Sequence, residues 1–226
     1  MSDVADALAV LQFGDSFFPS GAVSFSWGLE GLSDSGVVTG AETVRAFVIG
    51  QLRARWTEFD RAVVVAAHSA RTDLGEVSAI DAQVETQTPC AEMRSASRRM
   101  GEAMLSVFAR LGIGEADAYR EKVKQGVALG HLAAMQGYLW GRAGLSEPDA
   151  VALSAHTFST GLLGAGIRLG CLSHIDAQQI LVEAREEAAR LAALPVPPIG
   201  ALSAYAIEAE IAVMQHGNNT MRVFAN

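Results

Sequence analysis

The chain has 226 residues, half of them hydrophobic, a formal charge of −8 and a pI near 5.1. So apolar a chain can bury a sizeable core, which excludes wholesale disorder. Its acidity excludes a nucleic-acid surface, which needs clustered Lys and Arg; the basic residues, such as Arg53, Arg55, Arg94, Arg98, Lys122 and Lys124, are scattered.

Apolar residues recur at three- and four-residue spacing and strict alternation is almost absent, so the pattern predicts an all-α chain, a single-domain bundle of roughly eight to ten helices over 1–226. Near the start, "SFFPSGAVSFSWGLEGL" (16–32) interrupts this pattern. Phe17 and Phe18 are adjacent, so one helix cannot point both the same way, and Pro19, Ser20 and Gly21 turn the chain. Such a pair either plugs the core or anchors a partner, since aromatics dominate binding hot spots. Thr39 with Glu42 reads as a capping box for a helix over 41–57, and Asp60 as the cap of a helix through "RAVVVAAHSA" ending near Thr72 and Asp73. After the polar bridge "VETQTP", a long helix is expected from Cys90 to Leu111, stopped by Gly112 and Gly114. Further helices are expected over 116–124 and 127–142. Ser146, Pro148 and Asp149 signal the start of a hydrophobic helix, and Asp176 with Gln179 the start of one reaching about Leu194. "PVPPIG" breaks the chain before a last helix over 201–215, and the tail 217–226 is expected to be a flexible partner-binding segment. The apolar stretch 151–172 is interrupted by His156, Thr157, Ser159, Thr160 and Arg168, which favours a buried helix over a membrane span of about 20 apolar residues. With no basic leader and no CxxC pair, a cytoplasmic protein with reduced Cys90 and Cys171 is expected.

A reaction centre is hard to find. There is no G-x-x-x-x-G-K-[ST], and "GLLGAG" (161–166) lies in a helical stretch without a preceding strand, where close packing of helices on small residues is the better account. Cys171 and His174 form a lone C-x-x-H, short of the three or four ligands that zinc takes. His131 and His156 read as hydrogen-bonded core or interface histidines. No residue is assigned to catalysis, a cofactor or a metal.

What remains is a resemblance. "LAVLQFGDSFFPSGAVSFSWGLE" is similar to the "LLQLADSAFPVGGFAHSWGLE" opening of the urease accessory protein UreF family, sharing Gln12, Asp15, Ser16, Phe18, Pro19, Gly21, Ser26, Trp27, Gly28, Leu29 and Glu30. It continues through "AEMRSASRRMGEAML", "GHLAAMQGYLWGRAGLSEPDAV" and "GAGIRLGCLSHIDAQQIL" to "IAVMQHGNNTMRVFAN", where His216 and Arg222 keep the family spacing. The departures are Ala22 for the second turn glycine, Gly170–Cys171 and Ser173–His174 after the "RL" pair, and Gly217, Thr220 and Ala225–Asn226 in the tail.

The resemblance implies a mostly helical, homodimeric, non-enzymatic chaperone. Such a protein joins a UreD/UreH-type accessory protein and the GTPase UreG on urease apoprotein and helps couple GTP hydrolysis to nickel delivery. It places Glu30 and Arg168 at an acid and a base implicated in regulating the GTPase; their plainer readings are a surface carboxylate and a salt-bridged helix residue. A cation buried in an apolar helix would need a facing acid or subunit. Phe17, Phe18, Trp27, Glu30, Arg168, His216, Arg222 and Phe224 are the expected partner-binding residues. Two other readings remain: an all-α enzyme using Glu30, His131, His156 or Arg168 on a small molecule, and a nickel metallochaperone using Cys171, His174 or His216.

Overall fold

The computed structural model describes residues 4–19, 25–204, 206–216 and 223–224. The chain is an all-α bundle, with no strand among the described residues. The helices are α1 (Val4–Gly14), α2 (Leu29–Asp34), α3 (Ala41–Gln51), α4 (Arg61–Ser69), α5 (Leu74–Thr86), α6 (Ala91–Leu111), α7 (Ala116–Lys124), α8 (Leu132–Arg142), α9 (Glu147–Arg168), α10 (His174–Ala192) and α11 (Ile207–His216). A π-helical segment, Leu52–Asp60, joins α3 to α4, and a 3₁₀ turn, Ile199–Ala201, precedes α11.

Some of the predicted ends that rest on capping chemistry hold. Ser146 accepts from the Asp149 amide at 3.3 Å to start α9. Helix α10 is capped three residues earlier than the expected Asp176–Gln179 pair: Ser173 is the cap, and it and Asp176 bond reciprocally at 3.1 and 2.9 Å. Gly112, with φ 67°, ends α6 in the left-handed conformation. The start of α3 differs from expectation: the Thr43 hydroxyl, not Glu42, reaches back to the amides of Thr39 and Gly40 at 3.0 and 3.2 Å.

Four other points of the sequence reading need correction. Asp60 caps no helix. Its backbone is helical, and α3, the π segment and α4 run on without a break from 41 to 69, with the Thr57 hydroxyl donating to the Leu52 carbonyl at 2.7 Å inside the π segment. Residues 74–86, unassigned from sequence, form α5, capped by Asp73, whose Oδ1 accepts from Gly75 and Glu76 at 2.8 and 3.1 Å. Helix α8 starts at Leu132 instead of Val127, because the preceding amides are bound by Asp81. That carboxylate, fully buried, accepts from Leu129, Gly130 and His131 N–H at 2.9, 2.7 and 2.8 Å and from the Tyr119 hydroxyl at 2.9 Å. Likewise α11 begins at Ile207 where 201 was expected.

Two buried clusters make up the interior. One gathers Phe25, Trp27, Leu29, Trp56 and Met93 with the inner faces of α3, α9 and α10, and it includes Phe224. The other gathers Phe13, Phe59, Tyr119, Tyr138 and Trp140 with the inner faces of α4 to α8, and Leu132 touches both. Helix α9 is long and apolar enough to cross a membrane by composition, yet half of its most apolar stretch is buried inside the protein.

Beside Asp81 lies a second polar chain. Glu85 Oε2 is 2.8 Å from His131 Nε2, so that nitrogen carries the proton; Nδ1 then accepts from the Ser97 hydroxyl at 3.2 Å, whose oxygen accepts from the Leu132 amide at 3.1 Å. Burial lowers the His131 pKa below the ordinary histidine value, against the pull of Asp81 and Glu85, and burial lowers that of His156 as well. The unfolded chain protonates both near pH ~6.5 while the folded chain resists. Their contribution is therefore fully present above that pH and is lost as pH falls below it. Urea unfolding is expected to show lower stability at pH 5.5 than at pH 7.5, with a smaller difference in His131→Gln, where His156 alone remains. Higher stability at pH 5.5 would mean that Glu85 keeps His131 protonated in the fold.

Candidate functional site

The "SWGLEG" stretch (26–31) forms a seat for the end of the chain. Trp27 and Gly28 take left-handed backbone at φ 55° and 90°, turning the chain into α2. Gly28 and Gly31 bring α2 against α11: a Cβ at Gly28 would lie 2.5 Å from the Ala209 carbonyl oxygen, and one at Gly31 2.8 Å from that of Ala212. Only glycine fits Gly28, where the positive φ and the close backbone approach coincide.

Glu30 then points along this contact. It is 3% exposed, and its two carboxylate oxygens accept from the backbone amides of Val223 and Phe224 at 2.6 and 3.2 Å. Phe224, also 3% exposed, is part of the core, and the Arg168 guanidinium stacks 4.1 Å over its ring. Arg168 is itself exposed, with Nε donating to the Gly164 carbonyl at 3.2 Å. Partial desolvation lowers its pKa, and the nearby Glu30 charge acts in the opposite direction. The expectation of an Arg168 sunk in an apolar helix is thus replaced by a cation at the surface, lying on an aromatic ring. A tail that is mobile when free is likewise not what 223–224 show: these two residues pack on their own protein.

Trp27 is held from beneath. The Arg55 guanidinium, 4% exposed on the π segment, lies 4.4 Å over its ring and pairs with Asp60 at 3.1 Å. Burial raises the Asp60 pKa, and Arg55 opposes that. The π segment thereby places a cation and its counter-acid under the tryptophan, an arrangement that reading 41–57 and 61–72 as separate helices could not show.

The adjacent phenylalanines divide between the two readings. Phe18 packs edge-on to Phe13 and Phe108 at 5.6 and 5.8 Å, plugging the second cluster, while Phe17 is 94% exposed. The side chain of His216 and all of Arg222 lie outside the described residues. Glu30, Arg168 and Phe224 therefore gather around one place, while Trp27, three residues before Glu30, packs on Phe158 and Arg55, and Phe17 and Phe18 lie earlier in the same stretch of chain.

The residues of an acid–base pocket are not gathered. His131 is committed to Glu85 and Ser97, His156 opens on a groove between α9 and α10, and Glu30 binds the chain end. Ser97, His131 and Glu85 do form a hydroxyl–imidazole–carboxylate chain of the kind hydrolases use. Here the Ser97 oxygen holds the first amide of α8, and the chamber that it lines, with a volume of about 50 Å³, is far below the roughly 300–1,000 Å³ of ligand pockets. Among the described residues no group of three or more His, Cys, Asp or Glu is placed to hold a metal ion, and Cys171 Sγ sits 3.5 Å from Ser33 Oγ. In "GLLGAG" only Gly166 has a close neighbour, Leu172, whereas Gly161 and Gly164 face open space, so close packing explains one of its three glycines.

Sequence reading missed Asp81, Glu85 and Ser97, which fix the start of α8. Asp73 followed by Glu76 was the available signal for α5, on which both acids lie.

Comparison with known proteins gives the family. The UreF family model matches residues 38–185. The urease accessory protein UreF of Trichodesmium erythraeum (strain IMS101) is 31% identical over 245 aligned residues, covering the whole of this chain and 99% of its own. Those of Yersinia enterocolitica and Yersinia pestis (strain Pestoides F) are 26% and 25% identical over 228 residues, each alignment covering 99% of this chain and all of the relative. With a family model matched over most of its length and relatives aligned from end to end, this chain belongs to the UreF family of urease accessory proteins.

Proposed function

We propose that this chain is a non-enzymatic assembly chaperone for urease. In this reading it binds a UreD/UreH-type accessory protein and a UreG-type GTPase on urease apoprotein, as a cytoplasmic homodimer, and helps couple GTP hydrolysis to nickel insertion. The observation that supports it best is the gathering of Glu30, Arg168 and Phe224 at the chain end. A charged, exposed guanidinium over a buried aromatic ring, next to an acid that holds the backbone, is a surface built for recognition: Arg and aromatic residues are enriched at binding hot spots. The exposed Phe17 adds an unsatisfied apolar anchor nearby in the chain.

Tagged protein expressed with UreD/UreH-type and UreG-type proteins of a urease-producing bacterium is expected to retain both through size exclusion. Retention of neither, from protein shown to be folded, would overturn this reading.

A further inference from the structure

The π segment builds a charge pair that an α-helix could not. Arg55 and Asp60 are five residues apart, which on an α-helix would turn their side chains about 140° from one another. In the wider π turn, where the Arg61 amide donates to the Trp56 carbonyl five residues back, they share a face, with Arg55 Nε 3.1 Å from Asp60 Oδ2 and both residues buried. The same guanidinium lies 4.4 Å over the Trp27 ring and 5.3 Å over that of Phe59, and its Nη1 is 3.9 Å from Met93 Sδ. Its charge also favours the ionised form of Glu210, a half-buried acid on the first turn of α11 whose pKa burial raises. One buried cation thus serves the π segment, the turn into α2 and α11.

Trp27 needs such a hold. Among the described residues it is the one non-glycine with a positive φ, 55°, a strained conformation that persists only where the surroundings enforce it. Its ring packs on Arg55, on Phe25 edge-on at 4.9 Å and on Phe158 at 5.6 Å. Its backbone sits inside the turn that the Leu29 amide closes on the Ser26 carbonyl at 3.0 Å and the Glu30 amide on the Ser26 hydroxyl at 3.4 Å. Glu30 leaves that turn with its carboxylate on the amides of Val223 and Phe224. We propose that Arg55 is a positioning residue for the chain end: by holding the Trp27 ring it fixes the strained turn that aims Glu30 at Val223 and Phe224. This deepens the preceding reading, on which the chain end is a recognition surface, and is tested on the chain alone.

Hydrogen exchange of the purified chain, followed by NMR, is the test. Removing Arg55 alone would strand a buried Asp60 carboxylate, so the variant is Arg55→Met/Asp60→Asn, which keeps both shapes and removes both charges. The Val223 and Phe224 amides should be protected in the wild type and lose protection at least about tenfold in this variant, while the Leu139 amide, on α8 in the second core cluster, stays within about twofold. Arg55→Lys, which keeps a cation over the ring, should hold the chain-end protection within about threefold of wild type. Unprotected chain-end amides in the wild type, unchanged protection in the double variant, or an equal loss in Arg55→Lys would each overturn the positioning role. An equal loss at Leu139, or a double variant that fails to fold, would show Arg55 serving the core at large and overturn it too. If the expected pattern holds while the folded wild type retains no UreD/UreH-type or UreG-type partner, the positioning role stands and the preceding reading falls.

Discussion

Phe224→Ala is expected to lower the melting temperature by roughly 6–12 °C, from a cost of about 3 kcal/mol at 2–4 °C per kcal/mol for a chain of this size. The residue lies two places before the last one of the sequence, where truncation would ordinarily matter little. Here its ring is buried in the first core cluster beneath Arg168, and its amide is one of two that satisfy the buried Glu30 carboxylate. Deleting residues 217–226 should cost at least as much, because Glu30 then loses the Val223 and Phe224 amides. The flexible tail expected from the sequence would instead leave melting unchanged on deletion. Calorimetry decides: a Phe224→Ala transition within 2 °C of wild type would mean that the chain end is dispensable to the fold.

Gly101→Ala and Gly137→Ala should each destabilise by about 2–3 kcal/mol or more, although Ala in a helix interior normally gains up to about 1 kcal/mol over Gly. At Gly101, on α6, a Cβ would lie 1.9 Å from the Gly130 carbonyl oxygen; at Gly137, on α8, it would lie 2.2 Å from that of Val64. The atoms in the way are backbone, so relief requires whole helices to separate. Gly161→Ala and Gly164→Ala on α9 meet nothing within 4 Å and should stabilise by about 0.5–1 kcal/mol. Chemical denaturation of the four variants should therefore split them by sign. Uniform stabilisation would mean that α6 and α8 are not packed this closely.

The contrast among these glycines shows what a sequence can and cannot reveal. Helix ends governed by local chemistry, such as Ser146 and Gly112, were legible because the deciding atoms lie within a few residues. The all-α class was legible from periodicity. The start of α8 was not, because it is set by Asp81, some 50 residues away, and by Ser97. Nor was the π segment, whose Arg55 and Asp60 answer to Trp27 and to each other. At the candidate site, the resemblance pointed to Glu30 and Arg168, and the apolar tail to Phe224, each separately. That the acid binds the aromatic's own amide while the base covers its ring is a long-range fact that no spacing along the chain encodes.

The central claim is that this clamp serves urease assembly, and urease activity in cells tests it most directly. In a urease-producing strain lacking its own UreF, this chain should restore urease activity and the nickel content of the enzyme. Arg168→Ala, an exposed change that keeps Phe224 and Glu30 in place, should lower both by tenfold or more while its melting temperature stays close to wild type. Full activation by Arg168→Ala, or none by the folded wild-type protein, would contradict the account.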